Sequence, residues 1–387
     1  MFLNKINDFS SNNQIQSFVS EVLFPLTLMQ FVSLSPKYYI RGNIISANRL
    51  LTNVTLCSIT ALVFVIFIYF SFLSILRIKN NITTFLFCLY LCIYSLYGLG
   101  YLVNAIVIVL ESAINVDLVI RIDMIERNLK IRKIEKFRLV IENWLLCIFV
   151  IIFYFLNTYI QLFHAFTSYA TIFLSIFILM PWDLNVIYSA RVACLLRKQT
   201  DMWVWNMKSL LKARHLSENL ENFHWQAILN AYLILTDSYS VCEKITEITI
   251  IYHVLLTFVQ FIINVQTLIV VSRRNIILKK SVKGFTLVPF LCILWTIKHT
   301  ILLLLVCIEC DKLYTSLKNS QVACLATVYE NSTNTGRIAC KRLRKEAQKK
   351  LQPMMAKGFF TINLTLPLQI FSIVATYTVV LLQFNFL

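Results

Sequence analysis

Five stretches of this 387-residue chain contain no Asp, Glu, Lys or Arg: 55–76, 81–110, 143–182, 248–272 and 358–387. A sixth, 284–308, is interrupted by a single lysine, Lys298. A helix that crosses a bilayer needs ~20 consecutive, mostly apolar residues. In hydrocarbon the backbone has no water to bond, so each such run must satisfy its own amides as a helix. The run 143–182 is long enough for two crossings joined by a tight turn near 164–168. The chain therefore reads as an all-α integral membrane protein with seven transmembrane helices. The spans fall at roughly 52–76, 82–110, 143–164, 168–190, 248–272, 285–309 and 358–385.

Composition supports this reading and removes others. Hydrophobic residues make up 58% of the chain and charged residues 14%, whereas a soluble domain is nearer half apolar and a quarter charged. The bilayer takes the place of a soluble core, so residues 1–387 form one membrane domain. Six glycines and six prolines leave no material for loop-rich all-β designs or a Gly-rich phosphate loop. The 11 cysteines are scattered and match neither a disulfide scaffold nor a zinc module. The N-terminus makes a poor secretory signal, because a polar stretch at 11–16 interrupts any apolar core. The apolar segment 18–34 carries Glu21 and Pro25 and reads as a short membrane-adjacent helix rather than an eighth span.

The net charge of +17 first raises the question of nucleic acid, and the positions of the charges answer it. With the N-terminus inside, the cytosolic segments are 1–50, 111–142, 191–247 and 310–357. They hold 28 of the 36 Lys and Arg residues, against 7 in the outer segments 77–81 and 272–284. None of the 19 acidic residues lies in an outer loop. Retention of Lys and Arg on the cytosolic side predicts a cytosolic N-terminus and an extracellular C-terminus. Topology thus accounts for the basic excess, and no nucleic-acid partner is expected. A G-protein-coupled receptor has the opposite orientation, and its Asp-Arg-Tyr and Asn-Pro-x-x-Tyr signatures are missing. The cytosolic segments are not linker-like. Leu220, Phe223, Ala227 and Ile234 recur at helical spacing, which predicts a helical cytosolic bundle able to assemble subunits against the membrane lipid.

Candidate chemistry is sparse. The pair Cys307 and Cys310 has metal-like spacing but no second pair, so neither a metal nor a cofactor is expected. No hydrolase triad, metalloprotease motif or P-loop is present, which argues against an enzyme. Asp183 is the one carboxylate well inside a span, and its plain reading is a side chain near the cytosolic end reaching toward water. Lys298, beside Trp295 and His299, is costly in lipid and should face a polar cavity or a partner. Polar and aromatic residues collect in several spans: Tyr90 and Tyr94, then Tyr154, Asn157, Tyr159, Gln161 and His164, then Tyr169, then Gln260, Asn264 and Gln266. Apolar walls with a few placed polar groups are what a small-molecule pocket needs. Interhelical hydrogen bonds and an interfacial aromatic belt explain many of them equally well. The candidate ligand residues are Tyr94, Tyr154, Asn157, Gln161, Gln260, Asn264, Trp295 and Lys298.

The last span reads Thr376-Tyr377-Thr378-Val379-Val380-Leu381-Leu382-Gln383-Phe384. Ile373, Tyr377, Val380 and Phe384 recur on one helix face. Such a stripe, ending in a large ring, suits either ordinary packing or closure of a pore by dewetting. Thr-Tyr, five mostly apolar residues and then Gln-Phe near the C-terminus resembles the signature of insect gustatory receptors. The segment 18–39 is similar to the family's N-terminal region, and length, orientation and span number agree in outline. One departure is Thr378, where sugar-sensing members usually carry Glu. That points to a bitter-type, fructose-type or orphan member.

The resemblance implies a tetrameric, ligand-gated cation channel that detects a small-molecule tastant in the plasma membrane of a sensory neuron. Span seven would line the pore. Gln383 and Phe384 would form the gate with Val380, and Thr376 and Tyr377 would pack against and hydrogen-bond a neighbouring span. The rival readings are an odorant-type receptor channel, which the Gln-Phe ending disfavours, and a secondary transporter. A transporter would show internal repeats and spans broken by Gly or Pro, and neither is found.

Overall fold

The computed structural model describes residues 17–41, 44–78, 84–129, 133–163, 169–212, 218–278, 287–329 and 350–386, with single positions at 15, 338, 341–342, 344–345 and 348. Eight helices are named among these residues: α1 (Ser17–Val32), α2 (Leu50–Ile78), α3 (Thr84–Leu129), α4 (Lys133–Phe163), α5 (Tyr169–Lys212), α6 (Glu218–Leu278), α7 (Leu287–Tyr329) and α8 (Thr365–Phe386). The seven helices α2 to α8 are each long and apolar enough to cross a membrane. Two small antiparallel hairpins accompany them. One pairs β1 (Tyr39–Arg41) with β2 (Ile44–Ser46), and the other pairs β3 (Met355–Ala356) with β4 (Phe360–Thr361).

Several helices run far past the thickness of a bilayer. α6 has 61 residues and α3 has 46. At 1.5 Å per residue α6 spans ~90 Å, against ~30 Å of hydrocarbon. Most of the segments assigned to the cytosol by charge are continuations of the spans. Charge density marks where a helix leaves hydrocarbon, but nothing obliges the helix to stop there.

α5 is the axis of the bundle. Every residue from 181 to 196 is buried, so this helix has no lipid-facing side there and carries its polar groups inward. Each of these must find a partner. The amide of Asn185 donates to Asn104 Oδ1 on α3 and accepts from Gln30 Nε2 on α1 at 3.2 Å. Arg191 donates to Asn143 Oδ1 at 2.5 Å and to Glu142 at 2.8 Å on α4. Lower on the same helix, Gln199 donates to the Ile122 carbonyl at 2.8 Å, and Trp203 to the Ile228 carbonyl at 2.9 Å. These interhelical bonds give register to surfaces that are otherwise uniformly apolar.

α1 lies against α4 and α5, burying Val19, Val22, Leu23 and Leu26. The Val22 carbonyl accepts a 2.6 Å bond from Asn143, and Lys136 reaches Glu21 at 2.8 Å. Past α1, Lys37 is buried with its ammonium 4.4 Å from the centroid of the Tyr188 ring. Burial lowers its pKa to about 8, opposed by the nearby Glu111. α3 and α6 approach closely at Gly100, where a Cβ would collide with the Tyr252 hydroxyl. That hydroxyl donates to the Leu96 carbonyl at 2.5 Å, so any larger residue at 100 must expel it.

α8 packs on α6 and α7 through Leu366, Ile370 and Val374, with Phe371 edge-on to Phe261. Much of its remaining described surface is uncovered. Ile373, Tyr377 and Val380 are 49, 51 and 39% exposed, so the chain does not consume its own apolar stripe.

Candidate functional site

The bundle brings one polar column together from α3, α4, α5, α6 and α7. Its centre is an ion pair inside the apolar interior: Lys298 Nζ donates to Asp183 Oδ2 at 2.8 Å, and both side chains are 2% exposed. Tyr154 donates to the same oxygen at 2.8 Å. The ammonium also sits 4.2 Å from the centroid of Trp295 and 5.3 Å from that of Phe153. Those ring faces add a cation–π attraction to that of the carboxylate.

This corrects the plain reading of Asp183. It does not reach toward water; it is buried, because Lys298 lies opposite it on α7. Neither charge is tolerable alone at this depth, and each accounts for the other.

Two branches leave the centre. In the first, Trp295 Nε1 donates to Asn157 Oδ1 at 3.0 Å, and Gln161 donates to the same oxygen at 3.1 Å. In the second, Tyr97 donates to Gln260 Oε1, and Gln260 donates to Asn264 Oδ1 at 2.9 Å. Asn264 closes this branch on the Cys292 carbonyl at 3.1 Å and on Thr296 at 2.9 Å. Tyr94 stands beside it, 6.2 Å from Tyr97 between ring centroids. Tyr159 is exposed, and the side chains of Tyr90, His164 and Tyr169 lie outside the described residues.

Three members of the column were not singled out by the sequence. Tyr97 is one; His253 and Thr257 on α6 are the others. His253, Thr257, Gln260 and Asn264 recur at i, i+4, i+7 and i+11, which is one helix face. That spacing was the available signal. It emerges only when the four are read together, because a single histidine in a span, though rare, does not name its partners. His299 lies across from His253, with ring centroids 5.5 Å apart, and stacks on Trp295 at 5.7 Å. Cys307 and Cys310 are buried free thiols.

At the end of α8, Gln383 is exposed, while the Phe384 side chain lies outside the described residues. Tyr377 packs edge-on to Phe258 of α6 at 5.9 Å. Thr376 bonds back to the Ser372 carbonyl of its own helix at 3.1 Å. A threonine hydroxyl in a helix can reach the carbonyl one turn back in this way.

The segment leading into α8 is strapped along α6. Lys350 pairs with Asp237 at 2.7 Å, and Tyr239 donates to the Gln352 carbonyl at 2.6 Å. The Met355 amide donates to Glu243 at 2.9 Å, and Lys357 pairs with Glu247 at 3.0 Å. Lys357 and Gly358 both have positive φ, 50° and 77°, which turns the chain sharply from β3 into β4. One unbroken helix thus carries part of the polar column and the anchor for the last span.

No family model matches the sequence. Gustatory receptor 68a of Drosophila melanogaster is 35% identical over 92 residues, which is 24% of this chain and 23% of that receptor's length. The structure of the olfactory receptor OR5 from Machilis hrabei superposes with a TM-score of 0.68. That match covers 94% of this chain and 98% of the other at 11% identity. The same receptor in complex with eugenol gives a TM-score of 0.69, covering 96% and 100% at 11% identity. The chain therefore has the fold of an insect olfactory receptor over nearly its whole length.

Proposed function

We propose that this protein is an insect chemosensory receptor of the gustatory kind, a ligand-gated, non-selective cation channel that detects a small-molecule tastant. The observation that carries this reading is the fold. Nearly the whole chain superposes on a receptor whose complex with eugenol has been solved. The local identity to a gustatory receptor and the Thr376-Tyr377…Gln383-Phe384 ending favour tastants over odorants. The near-complete overlap with an olfactory receptor favours the runner-up, an odorant-type channel. Expression in oocytes with panels of both ligand classes tests the two. A ligand-evoked cation current that survives block of G-protein signalling is expected. Uptake of substrate without current would replace the channel with a transporter.

In this reading the polar column is the ligand site, and four chains surround a pore lined by α8. The uncovered apolar stripe of α8 supports that arrangement, since a stripe facing neighbouring copies need not be covered by its own chain. The receptor sits in the plasma membrane of a sensory neuron with its N-terminus inside, as the distribution of Lys and Arg favours. A tag at Met1 should stain only after permeabilisation, and one after Leu387 without it.

The ligand would exchange some hydrogen bonds of the column for its own. Loss of one such bond costs about 0.5–1.5 kcal/mol net. Asn157→Ala and Gln260→Ala are therefore expected to raise the half-maximal agonist concentration several-fold at unchanged surface expression. Unaltered dose–response curves for both would move the ligand site elsewhere.

The strap transmits the change. A shift of α6 on binding carries Glu243 and Glu247 with it, and through them the start of α8. Glu243→Ala with Glu247→Ala removes two of its four ties, a loss on the order of 1–3 kcal/mol. The maximal evoked current should fall about tenfold while agonist binding stays within twofold. A normal maximum would show that α8 is driven by another route.

A further inference from the structure

We propose that Asp183, His253 and His299 form a binding site for one divalent transition-metal ion, Zn²⁺ by its ligand chemistry. The three residues come from α5, α6 and α7, and each is at most 1% exposed. One ligand atom from each lies within 4.8 Å of the others. The ring nitrogens carry the argument. His253 Nε2 stands 3.4 Å from the His299 carbonyl. When that nitrogen holds the proton, the lone pair is on Nδ1, which has no hydrogen-bond partner. Neither nitrogen of His299 has a partner either. Leaving three imidazole nitrogens dry and unbonded is expensive in an apolar interior.

The surroundings hold these ligands in place. Trp295 stacks on the His299 ring. Lys298 and Tyr154 both bond Asp183 through Oδ2, so coordination through Oδ1 breaks neither bond. Outer partners of this kind orient metal ligands. Two imidazoles and a carboxylate, with a fourth position open, is a donor set that Zn²⁺ accepts, with bonds of ~2.1 Å. A tetrahedron of that size has edges near 3.4 Å, so the ligand atoms close by at most about 1.4 Å, within reach of side-chain rotation.

Lys298 is the opposing element. Its ammonium and the metal share one carboxylate, so the cluster with both carries excess positive charge. A unit charge a few ångströms away weakens metal binding by about tenfold or more. Lys298 thereby sets the affinity, and its removal separates a metal site from a purely structural cluster.

The test is a Co²⁺ titration of the purified full-length protein in detergent, followed by visible absorption and competition with Zn²⁺. The expected result is a tetrahedral-type spectrum at one Co²⁺ per chain, displaced by Zn²⁺. It should be lost in His253→Gln and His299→Gln, which keep a polar side chain of similar size. Lys298→Met should bind at least about tenfold more tightly. Absence of a spectrum in the unaltered protein would mean that water, not metal, satisfies the histidines, and would overturn the proposal. A spectrum that persists in both histidine variants would place the metal on other ligands and overturn it equally. The titration reads the metal alone, so its outcome is independent of whether the chain conducts ions.

Discussion

Lys298→Met, in metal-free buffer, should destabilise the helix bundle by about 3–5 kcal/mol, the usual cost of removing one member of a buried ion pair. The methionine fills nearly the same space, so little of this loss comes from packing. It comes from Asp183, which keeps one hydrogen bond from Tyr154 but loses its compensating charge. Asp183→Asn should cost a comparable amount by stranding the ammonium against Trp295 and Phe153. The double variant Asp183→Asn with Lys298→Met leaves no charge at all. It should recover most of the loss, because two desolvation penalties vanish together. Midpoints of thermal unfolding, read by size-exclusion of the detergent-solubilised protein, measure all three. Single variants as stable as the parent would mean that the pair is hydrated, and that the column is open to water.

This pair shows what the sequence discloses and what it withholds. Lys298 stands out because it interrupts an apolar run, and its need for a partner follows from the energetics of lipid alone. The identity of that partner does not follow, since Asp183 is 115 residues away and only tertiary packing sets them opposite each other. Asn157, Gln161, Gln260, Asn264 and Trp295 were legible as polar or aromatic groups in apolar spans. Their hydrogen bonds to one another were not legible, because each depends on the rotation of one helix about its axis. His253 and Thr257 were missed for a different reason. A lone histidine in a span is itself a functional signal and a threonine is not, but only their shared face with Gln260 and Asn264 ties the two together.

The helix count followed from hydropathy, which responds to the bilayer. The 61-residue continuity of α6 did not, since hydropathy falls where the helix leaves the lipid although the backbone continues. The consequence is functional. Apolar runs alone separate the polar column from the strap at Glu243 and Glu247, whereas one continuous helix joins them.

Phe384→Ala should produce the largest change of all: a current at rest, without ligand. In the proposed tetramer, four phenylalanine rings meet on the pore axis. An ion cannot pass such a constriction without shedding hydration, which costs many kcal/mol in hydrocarbon-like surroundings. Opening therefore requires the rings to leave the axis. Gln383 is one residue away, about 100° around the helix. It is exposed, so its amide is free to turn toward the pore. A rotation of α8 then exchanges an apolar ring for hydrogen-bonding groups that a hydrated ion can use. The strap from α6 supplies the torque in this scheme, and ligand binding must favour the rotated state, because equal affinity for both states would open nothing. Replacing the ring by a methyl group widens and wets the closed pore, so basal current should rise to a large fraction of the agonist-evoked maximum. Gln383→Ala should keep the pore closed at rest and reduce the evoked current. Val380→Ala, one turn inward on the stripe, should leak less than Phe384→Ala, since its side chain is smaller. Plain packing by Phe384 predicts something else, namely lower assembly and expression with no leak. A Phe384→Ala channel that reaches the surface, stays silent at rest and opens normally with agonist would remove the gate from this residue.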